Sequence, residues 1–144
     1  MQLLDQQNLR TILSTCRTIA VVGCSPKPDR PSYQVAQYLL TAGFTVIPVN
    51  PGQETILGQT CYPNLTVVPH AIDLVDIFRR AEEIDPVVNE AIVVGARVLW
   101  LQLGIVNESA ARKAAAAGLF VIMDRCLKVE HQRLLAEKDS PGFM

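Results

Sequence analysis

The sequence predicts an α/β fold: a doubly wound, parallel five-stranded sheet with helices on both faces. Three observations carry that expectation. Short and almost wholly apolar runs recur along the chain, as strands buried on both faces do. Amphipathic segments with helical spacing separate them. Capping residues and glycines fall where those segments would start and stop. Alternation of this kind implies right-handed crossovers within one parallel sheet.

Residues 3–16 read as a leading helix, with Leu3, Leu4, Ile12 and Leu13 apolar. The first strand, 18–23, is nearly all apolar and ends at Gly23. Ser32 is positioned to cap the next helix, and Pro31 holds its approach extended. Val35, Ala36, Leu39 and Leu40 share one face of that helix, and Gly43 stops it. The second strand is 44–49, ended by Asn50-Pro51-Gly52. Pro48 inside it is an objection, because proline fits poorly in a central strand. Residues 53–70 read as a long irregular connection. The third strand, 72–78, carries Asp73 and Asp76, an alternation that suggests an exposed edge. Asp85 would cap the following helix with Pro86 in its first turn. The fourth strand is 97–102, Asn107 caps an Ala-rich helix over 108–117, and Gly118 ends it. The fifth strand is 119–123, a last helix covers 129–138, and 139–144 reads as a frayed tail. With no linker or repeat, 1–144 reads as one domain in the strand order 3-2-1-4-5.

Composition narrows the function classes. Hydrophobic residues make up 49% of the 144 residues and charged ones 19%, which excludes a disordered chain. The net charge of −1 provides no global field for nucleic acid or an anionic membrane. No apolar run is long enough to span a bilayer, and no secretory pattern opens the chain, so a cytoplasmic location is expected. Four cysteines without a C-x-x-C pair, and two histidines, argue against a metal site. A disulfide framework is equally unexpected without an export signal.

The chemistry concentrates at the first turn. A buried strand runs into Gly23-Cys24-Ser25-Pro26-Lys27-Pro28-Asp29-Arg30, and then a helix begins. Unpaired N–H groups at a helix start, with the helix dipole behind them, favour an anion. Lys27 and Arg30 add mobile cations. The corner is built for a phosphorylated ligand. Dinucleotides fit it poorly: the loop has one glycine instead of G-x-G-x-x-G, and the second strand ends in Asn50, not an acid. No Walker-type G-x-x-x-x-G-K-[ST] occurs. In the expected strand order, the ligand crevice lies between the first and fourth strands, outside their carboxyl ends.

A resemblance is carried by five blocks in order: V-V-G-C-S-P-K-P-D-R-P-S-Y-Q-V-A-Q-Y-L, G-F-T-V-I-P-V-N-P, I-D-L-V-D-I-F-R-R, L-W-L-Q-L-G-I and M-D-R-C-L-K-V-E-H. Over residues 10–137 the chain resembles the small stand-alone CoA-binding domain proteins. These are similar in fold to the CoA-binding N-terminal domain of the succinyl-CoA synthetase alpha subunit. The resemblance implies a Rossmann-like domain with coenzyme A as its ligand and no assigned reaction. The partner domains and phosphohistidine segment of the synthetase are missing, so ligase activity is not implied. It further implies that Gly23, Cys24, Ser25, Pro26 and Ser32 wrap the phosphates, and that Lys27 and Arg30 meet their charge. Val49, Asn50 and Pro51 would flank the adenosine. Phe78 and Arg79 would close the nucleotide side, and Gln102, Gly104 and Ile105 would lie under the pantetheine arm.

Each residue also has a plainer role. Gly23 serves a tight strand-to-helix turn, Asn50-Pro51-Gly52 is a good turn on its own, and Arg79 could pair with Asp76 or Glu83. A catalytic alternative remains: a small enzyme acting on a CoA thioester through Asp124, Cys126 and His131, since a thiol near a histidine can be activated. Cys24, beside positive charge, is a second candidate reactive thiol. An NAD(P)-binding regulatory module is the third reading. The expected role is that of a CoA or acyl-CoA sensor, carrier or accessory protein. A homodimer or a partner enzyme is open.

Overall fold

A computed structural model describes the backbone of residues 6–138 and the side chains of 8–136. The start of the leading helix at 3–5 and the tail at 139–144 lie outside the described residues. Seven strands and five α-helices follow in order: α1 (Gln6–Thr15), β1 (Thr18–Val22), α2 (Pro31–Thr41), β2 (Thr45–Val49), β3 (Thr55–Ile56), β4 (Gln59–Thr60), β5 (Leu74–Ile77), α3 (Ile84–Val93), β6 (Val98–Leu101), α4 (Glu108–Ala116), β7 (Phe120–Ile122) and α5 (Leu127–Lys138). The five predicted strands are β1, β2, β5, β6 and β7, and they form one parallel sheet.

The fold class is as expected, but the strand order is not. The sheet runs β2-β1-β5-β6-β7, which is 2-1-3-4-5 in the predicted numbering. The third predicted strand is therefore interior, between β1 and β6, and not an edge. Its two acids misled the reading for separate reasons. Asp73 lies before the strand, where its Oδ2 accepts the Arg17 and Thr18 N–H groups at 2.8 and 3.0 Å. Asp76 is inside it and fully buried. The edges are β2 and β7, and the place of β2 answers the objection to Pro48. The Pro48 carbonyl points outward and accepts the Tyr62 N–H at 3.1 Å. Its nitrogen points the same way, so β1 loses no hydrogen bond.

Two apolar layers sandwich the sheet. Ala20, Val22, Val75, Ile77, Leu99 and Leu101 pack beneath α3 and α4. Ile19, Val21, Leu74, Val98 and Trp100 pack beneath α1, α2 and α5. The connection expected to be irregular contains the β3–β4 hairpin, turned by Leu57 and Gly58, both with positive φ as a type I′ turn requires. Tyr62 then bridges to Val49, covering the outer side of β2.

The helix signals were partly right. Asn107 caps α4 through the Ala110 N–H at 3.0 Å. Gly43 and Gly118 adopt φ of +100° and +95° just beyond α2 and α4. Ser32 is not the cap of α2, which begins at Pro31 after Arg30. Asp85 is not the cap of α3, which begins one residue earlier. Its carboxylate instead meets Lys113 Nζ of α4 at 2.7 Å.

Candidate functional site

The order of strands reverses between β1 and β5, so the topological switch point lies there and not between the first and fourth strands. At that point the β1 and β5 ends come into close backbone approach. Gly23 has φ +81°, and a Cβ on it would overlap the Phe78 carbonyl oxygen. Only glycine fits, and the close neighbour that demands it is the protein's own chain. The Gly23 N–H is given to the Val49 carbonyl at 2.9 Å.

Beyond Gly23 the loop is braced from within. The buried Ser32 hydroxyl accepts the Ser25 N–H at 2.9 Å, and the Ser25 hydroxyl accepts the Lys27 N–H at 3.1 Å. Arg30 N–H closes onto the Lys27 carbonyl at 3.1 Å. Asn50 ties the loop to β2: its Nδ2 donates to the Cys24 carbonyl at 2.8 Å, and its Oδ1 accepts the Gly52 N–H at 3.0 Å. Among the described residues, the N–H groups of Cys24, Asp29, Ser32 and Tyr33 take no protein acceptor. Lys27 and Arg30 are exposed and form no ion pair with a described carboxylate. Gly23, Ser25, Lys27, Arg30, Pro31, Ser32 and Phe78 line a cleft of about 370 Å³. It offers the open Ser32 amide, two free cations and one aromatic face, with the open Cys24, Asp29 and Tyr33 amides close by in the same loop and first helical turn, a donor set suited to phosphate oxygens.

A larger concavity of about 830 Å³ opens at the amino ends of the strands, between α1 and the turns after α3 and α4. Its cation, Arg97, already donates to Thr15 Oγ1 at 2.7 Å. The chemistry favours the smaller cleft.

The other predicted residues divide. Phe78 lines the cleft, and the Arg79 side chain runs beside Gly23. The expected Arg79 pairing belongs instead to Arg80, which meets Glu83 at 2.9 Å and Glu82 at 3.6 Å. Pro26 and Pro51 are exposed at the loop tips. Val49 is buried in the core, so only its backbone reaches the site. Gln102 is buried and donates from Nε2 to Asp76 Oδ1 at 2.6 Å. The Gly104 N–H goes to Asp124 Oδ1 at 2.7 Å, and the Ile105 N–H to the Gln102 carbonyl at 2.9 Å.

Cys24 is not a reactive thiol. Its side chain is fully buried, and burial pushes its pKa up to about 12, with the nearby Cys61 and Asp76 adding to the rise. The Cys24 carbonyl is held by Asn50, and its N–H is the group it leaves open in the loop. The trio of Asp124, Cys126 and His131 is not assembled either. Asp124 is held on Gly104. His131 Nδ1 is hydrogen-bonded to the Tyr38 hydroxyl at 2.6 Å, with its ring edge-on to Tyr38 and Phe44. Burial also lowers the His131 pKa. Cys126 packs against the apolar layer under α5, and Arg125 pairs with Glu130 at 2.7 Å. No group of three or more described His, Cys, Asp or Glu side chains is placed to hold a metal ion. No described helix is long and apolar enough to cross a membrane.

Sequence reasoning missed Asp76 as a buried acid inside β5, bonded to the candidate residue Gln102. It is fully buried, its Oδ2 has no partner, and burial pushes its pKa up to about 8. The signal is an acid between Val75 and Ile77, which a local reading takes for edge alternation.

An open parallel α/β sheet with a glycine corner and a cation-lined cleft at its switch point defines a Rossmann-like class of domain. Within that class, residues 17–132 match the CoA binding domain model, and the chain belongs to that family. It is 40% identical over 131 residues to the uncharacterized protein YneT of Bacillus subtilis, covering 91% of this chain and 97% of YneT. A hypothetical protein from Pyrococcus horikoshii superposes with a TM-score of 0.90 at 42% identity, covering 92% of this chain and 93% of that one. ADP-forming acetate–CoA ligase I of Archaeoglobus fulgidus is 32% identical over 74 residues. That match spans 51% of this chain and 11% of the ligase.

Proposed function

We propose that this protein binds coenzyme A or an acyl-CoA at the β1–α2 corner, as a sensor, carrier or accessory protein of one domain. The observation that carries the reading is the cleft at the start of α2, which the open Ser32 amide and the unpaired Lys27 and Arg30 line together. Coenzyme A carries a pyrophosphate and a ribose 3′-phosphate, so it needs several donors and more than one cation. The α2 dipole contributes only about 0.3–1 kcal/mol toward an exposed anion. Direct contacts from Lys27, Arg30 and the open amides carry most of the affinity. Membership of the CoA binding domain family supports the same ligand. The absence of a G-x-G-x-x-G loop and of an acid after β2 speaks against NAD. The adenosine lies toward Asn50 and Pro51, with Asn50 acting as the brace of the loop rather than as a free donor.

Calorimetric titration with CoA, dephospho-CoA, NADH and NADPH tests this. CoA binds and the nicotinamide cofactors do not. With Arg30 on the 3′-phosphate, Arg30→Ala weakens CoA by about tenfold or more, as loss of one charge-assisted contact does, and leaves dephospho-CoA nearly unaffected. Equal weakening of both moves Arg30 to the pyrophosphate. Tight NADH binding with no response to CoA refutes the proposal.

A further inference from the structure

Residues 102–107 follow β6 at the carboxyl edge of the sheet, and the segment is fixed at several points. Gln102 is anchored on Asp76, the Gly104 N–H on Asp124, and the Ile105 N–H on the Gln102 carbonyl. At its far end Asn107 does two jobs. Its Nδ2 donates to the Ala81 carbonyl at 2.9 Å, and its Oδ1 caps α4. A segment pinned in this way cannot easily turn its apolar side chains inward. Yet Leu103 is 70% exposed and Val106 is 48% exposed. Ile105, half-buried, and Met123, at the end of neighbouring β7, continue the apolar character toward the core. The stretch 101–107 contains no charged residue, and the ionisable side chains bonded to it are the fully buried Asp76 at Gln102 and the Asp124 carboxylate at Gly104.

The position limits the occupant. Ligands of open α/β sheets lie outside the carboxyl ends of the strands. β6 is two strands from β1, about 10 Å at the usual strand spacing. The phosphates of a CoA ester anchored at α2 would leave its thioester end free to run along this edge, past Phe78 and over the β6 loop. We infer that Leu103 and Val106 form a platform for an aliphatic acyl chain, so that the ligand is a medium-chain acyl-CoA in preference to free CoA. An acidic acyl group is disfavoured, because it would bring a second carboxylate against Asp124. The inference rests on the proposed CoA reading of the corner and adds the acyl class to it.

The test is a set of titrations with CoA, acetyl-CoA, octanoyl-CoA and succinyl-CoA, repeated on the double variant Leu103→Gln, Val106→Gln. Octanoyl-CoA should bind about tenfold more tightly than acetyl-CoA, the equivalent of roughly two buried methylenes. Succinyl-CoA should bind no better than acetyl-CoA. The double variant should erase the gain, so that octanoyl- and acetyl-CoA bind alike. If CoA binds but chain length has no effect, the platform is refuted and the CoA reading stands. If no CoA species binds, both fall. If the double variant keeps the chain-length gain but halves the mass seen by sedimentation, the patch is a self-association surface and the acyl proposal is wrong.

Discussion

Gly23 and Asp76 explain most of what the corner can and cannot do. At Gly23 a positive φ and the nearby Phe78 carbonyl rule out any side chain, so the residue fixes how closely β1 and β5 approach each other. The sequence suggested that glycine, but attributed it to a ligand or a turn, because a partner 55 positions away in the chain is invisible to local reading. Asp76 is the opposite case, a polar group placed in a dry layer with Gln102 Nε2 as its one donor. Burial pushes its carboxyl in the fold up to about 8, above the ordinary value of 3.8. Between those values the native state holds a proton that the unfolded chain has released, so stability falls as pH rises through that window. Thermal melts from pH 5 to pH 8.5 are expected to decline more steeply for the wild type than for Asp76→Asn, which has no proton to lose. Equal slopes would mean that Asp76 is ionised in the fold.

At the scale of elements, the first β–α unit is organised by two serines and an asparagine. Ser32 sits in the first turn of α2, where its hydroxyl holds the Ser25 amide instead of capping its own helix. Ser32→Ala should therefore cost about 1 kcal/mol in urea denaturation, the net value of one hydrogen bond, and should also weaken CoA by loosening the loop. Loss of stability without loss of affinity would separate the loop's order from its binding. All three helix-cap signals, Ser32, Asp85 and Asn107, are chemically sensible, yet only Asn107 caps its helix. Ser32 and Asp85 each find a tertiary partner, Ser25 and Lys113, that competes for the same oxygen. Local sequence describes what a side chain can do at a helix start, not which neighbour reaches it first.

For the whole molecule, alternating apolar runs were enough to predict a parallel doubly wound sheet, because burial on both faces leaves a clear mark in composition. The order of strands was not legible. It depends on which strand lies beside β1: the acids of β5 point the wrong way, and Pro48 reads only as an objection to its strand until the sheet puts β2 at an edge. The error moved the expected crevice by one strand and left its principal lining, the residues after Gly23, unchanged. That robustness is physical: β1 borders the switch point in both orders. The proposed ligand's phosphates are received by open amides at the β1–α2 corner. Titration of ¹⁵N-labelled protein with CoA, followed by amide chemical shifts, tests it most directly. The largest shifts should fall on Cys24, Asp29, Ser32 and Tyr33, with smaller ones at Phe78 and Arg79. Shifts centred instead on Gly95, Arg97 and Gly118, around the large concavity at the other end of the sheet, would contradict it.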